Sequence, residues 1–190
     1  MLNNKSRFLF VRNKYYHQNI IIMLSKKLEA ALNAQINAEL WSAYLYLSMS
    51  AYFAADGKPG FANWFKIQFQ EEQDHAMKFF NYIVERGGKV ELKPIAKVAL
   101  AWKSPLHAFE ETLKHEIVVT GLINDLVALA QEEKDYATES MLKWFVDEQV
   151  EEESTAQGYI DALKMIKDNG FGIYTLDKEL QSRSYTPLAD

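Results

Sequence analysis

The sequence predicts an all-α fold, a tall four-helix bundle with one long crossover connection and a short C-terminal fifth helix. Three observations lead there. Apolar residues recur at helical spacing in four long blocks from Met23 onward. Each block is bounded by residues that start or stop helices. One segment between blocks is long enough to carry the chain from one end of the bundle back to the other.

The first block runs from about Ser25 to Ala55 and stops at Asp56-Gly57-Lys58-Pro59-Gly60, where two glycines and a proline cannot continue a helix. The second runs from about Phe61 to Arg86 and ends at Gly87-Gly88, which suits a left-handed cap. Residues 89–103 hold Pro94, show no periodicity and form the predicted crossover. The third block opens at Ser104-Pro105, a capping serine followed by the proline that favours a first helical turn, and reaches about Gln131. After a break near Lys134-Asp135 the fourth runs to about Lys167 and stops at Asn169-Gly170. Such helices extend about 40 to 48 Å at 1.5 Å per residue. Residues 174–182 are expected to form the short fifth helix.

At 190 residues and 48% hydrophobic content the chain suits one domain with a substantial core. It has no cysteine, which removes disulfides, zinc ribbons and thiolate-bound iron; any metal must use oxygen and nitrogen ligands. The net charge of −5 is unevenly spread. Residues 1–22 hold Lys5, Arg7, Arg12 and Lys14 and no acid, which leaves 17 bases against 26 acids, a charge of −9, on residues 23–190. An acidic body suits cationic partners and argues against nucleic acid. No apolar run approaches the roughly 20 residues that span a bilayer, so no membrane association and a cytoplasmic location are expected. Residues 1–22 are expected to lie outside the functional fold, as a disordered basic arm or through a start assigned too far upstream, with 23–190 forming the domain.

The informative anomaly is where the charges fall. On the second helix one seam reads Phe61, Phe65, Gln68, Glu72, His75, Phe79, Tyr82, all on one face. A carboxylate and an imidazole sit in the middle of a stripe that should face the core. The first helix repeats this through Leu28, Leu32, Ile36, Glu39, Ala43 and Tyr46, and the third through Phe109, Leu113, Glu116, Thr120 and Ile123. The fourth gives Met141, Phe145, Glu148, Glu152, Thr155 and Tyr159, with Gln149 one step round and Glu151 adjacent. Any one of these acids has a bland explanation. A lone Glu-x-x-His is a weak signal, and Glu151-Glu152-Glu153 alone reads as a solvated face. Together, four mid-length acids without seam lysines or arginines would cost several kcal/mol each as unpaired buried charges. Bound cations remove that cost. Glu from two helices with Glu-x-x-His from another is the pattern of carboxylate-bridged di-iron or di-manganese bundles, and one imidazole among several carboxylates favours iron or manganese over copper and zinc. Tyr46 and Trp144 near such a site read either as core packing or as oxidisable rings able to supply an electron.

Four stretches, Asn37-Ala38-Glu39-Leu40, Gln70-Glu71-Glu72-Gln73-Asp74-His75, Glu111-Thr112-Leu113-Lys114-His115-Glu116 and residues 144–153 from Trp144 to Glu153, closely resemble the bacterial non-haem ferritin family. The resemblance covers about residues 23–178. It implies that Glu39, Glu72 and His75 bind a first iron and Glu72, Glu116 and Glu152 a second, with Glu72 bridging and Gln149 close by. It implies a third iron site from Glu71, Glu148 and Glu151, with Glu152 as a shared ligand, and a tyrosine, Tyr46, beside the centre. It further implies ferroxidase chemistry with dioxygen or hydrogen peroxide, a 24-subunit homo-oligomeric shell and a ferric oxyhydroxide mineral stored inside it. Haem-containing relatives resemble Glu-Met-x-His on the second helix. Here Gln73 stands at the methionine position, so haem is not expected. Rival readings are a di-iron or di-manganese oxidase acting on an organic substrate, a metal-free interaction bundle, and a DNA-protecting mini-ferritin.

Overall fold

The computed structural model describes residues 24–188, in which the chain forms α1 (Lys26–Ala55), α2 (Pro59–Glu85), α3 (Pro105–Glu132), α4 (Tyr136–Ile166) and α5 (Gly170–Leu180). The expectation for residues 1–22 lies outside the described residues. None of the helices is long and apolar enough to cross a membrane.

Side-chain caps set the helix starts. Ser25 accepts from the Leu28 amide, Ser104 from His107, Asp135 from Thr138 and Asn169 from Gly172, each satisfying a backbone donor that no helical carbonyl reaches. The ends use left-handed residues: Gly87 has φ +70° after α2, as its sequence suggests, while Lys134 (+56°) and Lys167 (+52°) take that region without glycine.

Two helix starts differ from the sequence reading by two residues or more, and α5 ends at Leu180 rather than residue 182. α2 begins at Pro59 rather than Phe61, because proline occupies the first helical turn, where its missing N–H costs nothing. α5 begins at Gly170 rather than Tyr174. Asn169-Gly170 follows the end of one helix but also caps the next, the Asn169 side chain accepting from Gly172 N at 3.1 Å.

α1 packs along α2 and α3 along α4. The crossover between the two pairs is tied to α1 along its length. Near one end Asn33 donates to Lys89 O at 2.9 Å and accepts from Glu91 N at 2.7 Å; towards the other, Ser48 donates to Ala99 O at 2.7 Å. Val98 and Trp102 are buried there and seal it to the bundle. α5 docks on the start of α2, where Asp177 accepts from the Gly60 and Phe61 amides at 2.8 and 3.1 Å.

The core falls into two apolar clusters. One gathers Met49, Phe53, Phe61, Phe65, Phe109 and Ile160; the other Leu28, Leu32, Phe79, Ile123, Leu142 and Phe145. Along every bundle helix the buried acid lies between these two sets, so a polar layer crosses the bundle at mid-height.

The predicted seams hold for α1 and α2, apart from a half-buried Tyr82. On the other two helices Phe109, Glu116, Ile123, Phe145 and Glu152 are buried as predicted, and the remaining seam positions move by one residue. The buried stripe of α3 reads Phe109, Thr112, Glu116, Val119, Ile123, with Leu113 and Thr120 half-buried at its edge. That of α4 reads Leu142, Phe145, Gln149, Glu152, Ala156, Ile160, which moves Met141, Glu148, Thr155 and Tyr159 to the flank. A one-residue step turns a helix by about 100°, which takes a side chain from core to flank at 3.6 residues per turn.

Candidate metal centre

The polar layer consists of Glu39 from α1, Glu72, His75 and Gln68 from α2, Glu116 from α3, and Gln149 and Glu152 from α4, all buried. Ligand atoms of Glu39, Glu72 and His75 converge within 4.8 Å of one another. His75 reaches this point because it follows Glu72 by three residues, one turn along the same face; its Nδ1 lies 3.5 Å from Glu72 Oε2. The ring is wedged by Trp144 and Phe145 at centroid distances of 5.5 and 6.0 Å, and Lys78 stands 4.4 Å over the Trp144 ring.

The other two carboxylates are held by amides and a phenol. The Tyr46 hydroxyl donates to Glu116 Oε1. Gln149 Nε2 donates to Glu116 Oε2 and to the Glu116 carbonyl, both at 3.2 Å, and Gln68 Nε2 donates to Glu152 Oε2 at 2.9 Å. Gln35 Nε2 donates to Glu39 Oε1 at 2.9 Å. The second Glu39 oxygen, Oε2, is buried with no hydrogen-bond partner. Such an orphaned oxygen beside two further ligand atoms is what a cation would satisfy.

Electrostatics describe the same strain. Burial pushes the Glu72 carboxyl well above its usual range, and Glu116, Glu39 and Glu152 add to the shift. Burial and Glu116 push Glu152 up to about 8. Glu39 is also raised by burial, opposed by His75. Tyr46 is raised well above the phenol range by burial and by Glu116, so it stays a protonated donor. A divalent ion inverts this balance, because its charge favours the ionised carboxylates that burial disfavours.

Glu71, Glu148 and Glu151 lie outside the buried layer. Glu148 and Glu71 are half-buried and Glu151 is exposed. Glu148 Oε1 is 3.9 Å from His75 Nε2, and burial raises its carboxyl, with Glu151 and Glu71 adding repulsion. Glu71 is engaged by Arg183, whose Nη2 donates to both of its oxygens at 3.0 and 2.7 Å. The structure thus brings Glu39, Glu72, His75, Glu116, Gln149 and Glu152 into one buried layer and sets the remaining three acids at its edge.

Four participants escape the sequence reading. Gln35 was detectable, since it precedes Glu39 by one turn. Ser42 and His115 share a hydrogen bond of 2.7 Å beneath Tyr46, a contact between distant positions that no local spacing signals. Arg183 follows the last helix in a stretch without periodicity.

Comparison with known proteins agrees with this geometry. Residues 29–166 match the family described as ferritin-like domain. The chain belongs to the ferritin family. Among its relatives, the bacterial non-heme ferritin of Bacteroides fragilis is 48% identical over 161 residues, 85% of this chain and 100% of the relative. That of Staphylococcus aureus is 41% identical over 163 residues, 86% and 98% of the two chains. A solved structure of Archaeoglobus fulgidus ferritin, engineered to a closed form, superposes with a TM-score of 0.85 at 48% identity, covering 86% of this ferritin and 99% of that chain. An open-pore form from the same organism gives 0.84.

Proposed function

We propose that this ferritin is a ferroxidase and iron store: it takes up ferrous iron at the buried carboxylate layer, oxidises it, and keeps the ferric product inside a homo-oligomeric shell of 24 copies. The observation that carries the reading is the convergence of Glu39, Glu72 and His75 within 4.8 Å, with Glu116 and Glu152 buried in the same layer and no lysine or arginine among them. In this reading iron is substrate and cargo. Glu39 and His75 serve one ion, Glu116 and Glu152 the other, and Glu72 reaches both.

Two ferrous ions and one dioxygen with two protons give two ferric ions and hydrogen peroxide. Burial raises the Glu72 and Glu152 carboxyls, Glu152 to about 8, so binding of iron there would displace the protons they hold in the metal-free chain. Tyr46, hydrogen-bonded to Glu116, is the ring placed to give up an electron, with Trp144 beside His75 as a second. Glu71, Glu148 and Glu151 form an accessory site at the edge of the layer.

The side chains around the layer favour iron over an organic substrate. Phe79 stacks on Phe145 at 4.0 Å and Tyr46 on Phe65 at 6.2 Å, filling the space a second substrate would need. A surface groove of about 510 Å³, lined by Asp74, Met77, Lys78, Tyr82, Glu85 and Leu188 among others, includes none of the layer's residues.

Stopped-flow mixing of the metal-free protein with ferrous iron and oxygen tests the reaction. The fast phase should consume about two iron ions per dioxygen, by the logic of paired metal sites. Oxidation no faster than in buffer would refute the ferroxidase reading.

A further inference from the structure

The chain does not end its structured path at α5. It turns back along α2, where Asn63 Nδ2 donates to the carbonyls of Leu180 and Arg183 at 3.1 and 3.0 Å. Beyond that point the Tyr185 hydroxyl donates to Asp74 Oδ2 at 2.6 Å and the Leu188 amide to the same oxygen at 3.2 Å. Arg183 sits between these two anchors. Its guanidinium lies 5.0 Å from the Trp64 ring, donates to the Trp64 carbonyl at 3.3 Å and grips both oxygens of Glu71.

This placement is chemically pointed. Glu71 directly precedes Glu72 in the chain, and it lies close enough to Glu148 and Glu152 for its charge to act on both, as Glu151 acts on Glu148. The cluster holds four acids; His75 and Lys78 act on Glu148, while the charged partner of Glu71 is the Arg183 side chain. A guanidinium takes a carboxylate in the same two-oxygen fashion that a metal ion can, so Glu71 cannot serve both fully at once.

We propose, resting on the accessory-site reading above, that Arg183 is a built-in competitor for that site: a divalent cation binds Glu71 only by displacing the guanidinium, and displacement loosens the 183–188 tail from α2. Coupling of this kind is reciprocal, so the tail weakens cation binding by the same factor by which the cation weakens tail docking. Glu71 and Arg183 are each about one-quarter exposed, with side-chain exposures of 25% and 27%, and water therefore screens their bond. The competition is accordingly mild. It lowers accessory affinity without closing the site, which lets an ion pass onward instead of remaining bound.

The test uses assembled, iron-free protein and zinc, a redox-inert divalent cation, followed by titration calorimetry. Wild type should show a tight class at the buried layer and a weaker class at the accessory acids. Arg183→Gln should tighten the weaker class by about twofold to fivefold, the range a partly exposed ion pair supports, and leave the tight class unchanged. Arg183→Lys, which keeps the charge but loses the second nitrogen that holds the Trp64 carbonyl, should fall between. Hydrogen exchange read by mass spectrometry gives a second measure: zinc at concentrations filling the weaker class should speed exchange over residues 183–188 in wild type. An unchanged or weaker second class in Arg183→Gln, or tail exchange indifferent to zinc, overturns the competition. Glu71→Gln separates the two levels: if it leaves the weaker class intact, the accessory-site assignment itself has failed, and the role of Arg183 with it.

Discussion

Glu72 is the residue on which the most converges. It is buried, its carboxyl is raised by burial and by three acidic neighbours, and it lies at the meeting point of Glu39 and His75. Glu72→Ala should therefore slow the fast phase of iron oxidation more than loss of any other single ligand, whereas Glu148→Ala and Glu151→Ala should spare it and alter later turnover. Wild-type speed in Glu72→Ala with loss of the fast phase in Glu148→Ala would invert the division into primary and accessory acids. The same substitution should leave the metal-free protein as stable as wild type or more so, by up to about 1–3 kcal/mol, because it removes a buried group that repels its neighbours. The pH dependence has a definite sign. In the folded chain Glu152 holds its proton up to about 8, while in the unfolded chain it releases it in the ordinary carboxylate range. Between those values the native state binds more protons, so metal-free stability is full below the unfolded value and declines as pH rises towards 8. Thermal unfolding in chelator should give a lower Tm at pH 8 than at pH 6, and Glu152→Gln should flatten that slope; a Tm that rises over this interval would contradict the assignment. Glu39, Glu72, His75, Glu116 and Glu152 were legible in the sequence because an ionisable side chain inside an apolar stripe violates helical patterning. Gln149 was only partly so, since whether it or Glu148 faces inward depends on the rotation of α4 against its neighbours. The Arg183 contact with Glu71 joins positions 112 residues apart and left no local trace.

At the scale of elements, the boundary between α2 and α5 shows how a short helix is held. Asp177 supplies the two amide partners that α2 lacks at its start, because Lys58 at the N-cap makes no side-chain hydrogen bond. Asp177→Ala leaves both donors unsatisfied in a buried contact and should cost about 1–3 kcal/mol in chemical denaturation. Gly60→Ala should do more harm. A Cβ there would lie 1.6 Å from the Asp177 carbonyl oxygen, so α5 would have to move off α2. Equal stability of Gly60→Ala and wild type would show that α5 docking contributes little. Four helices were readable because their periodic blocks are long. The start of α5 was misplaced because one Asn-Gly pair both follows α4 and caps α5, and composition does not distinguish these roles.

Across the whole molecule, the two apolar clusters lock the bundle on either side of a layer that would be repulsive without cations. Packing thus supplies the stability, and the layer spends part of it on binding. The outer surface carries a second message. Tyr44 and Leu47 on α1 and Ile117, Val118 and Leu122 on α3 are exposed in the single chain, as are Val150 on α4 and Phe171 on α5. Exposed apolar area of this extent suits burial between copies, in keeping with a shell. Sequence patterning did not mark these residues as contacts, since an exposed apolar side chain on one helix is ordinary until the other helices are placed around it. The most direct measurement is aerobic addition of ferrous iron, in excess of a few ions per chain, followed by size-exclusion chromatography with iron and protein detected together. Ferric iron should co-elute with the protein in one very large particle, at far more iron than the carboxylate sites can hold. Protein eluting as a monomer or dimer, with iron precipitated apart from it, would contradict the account.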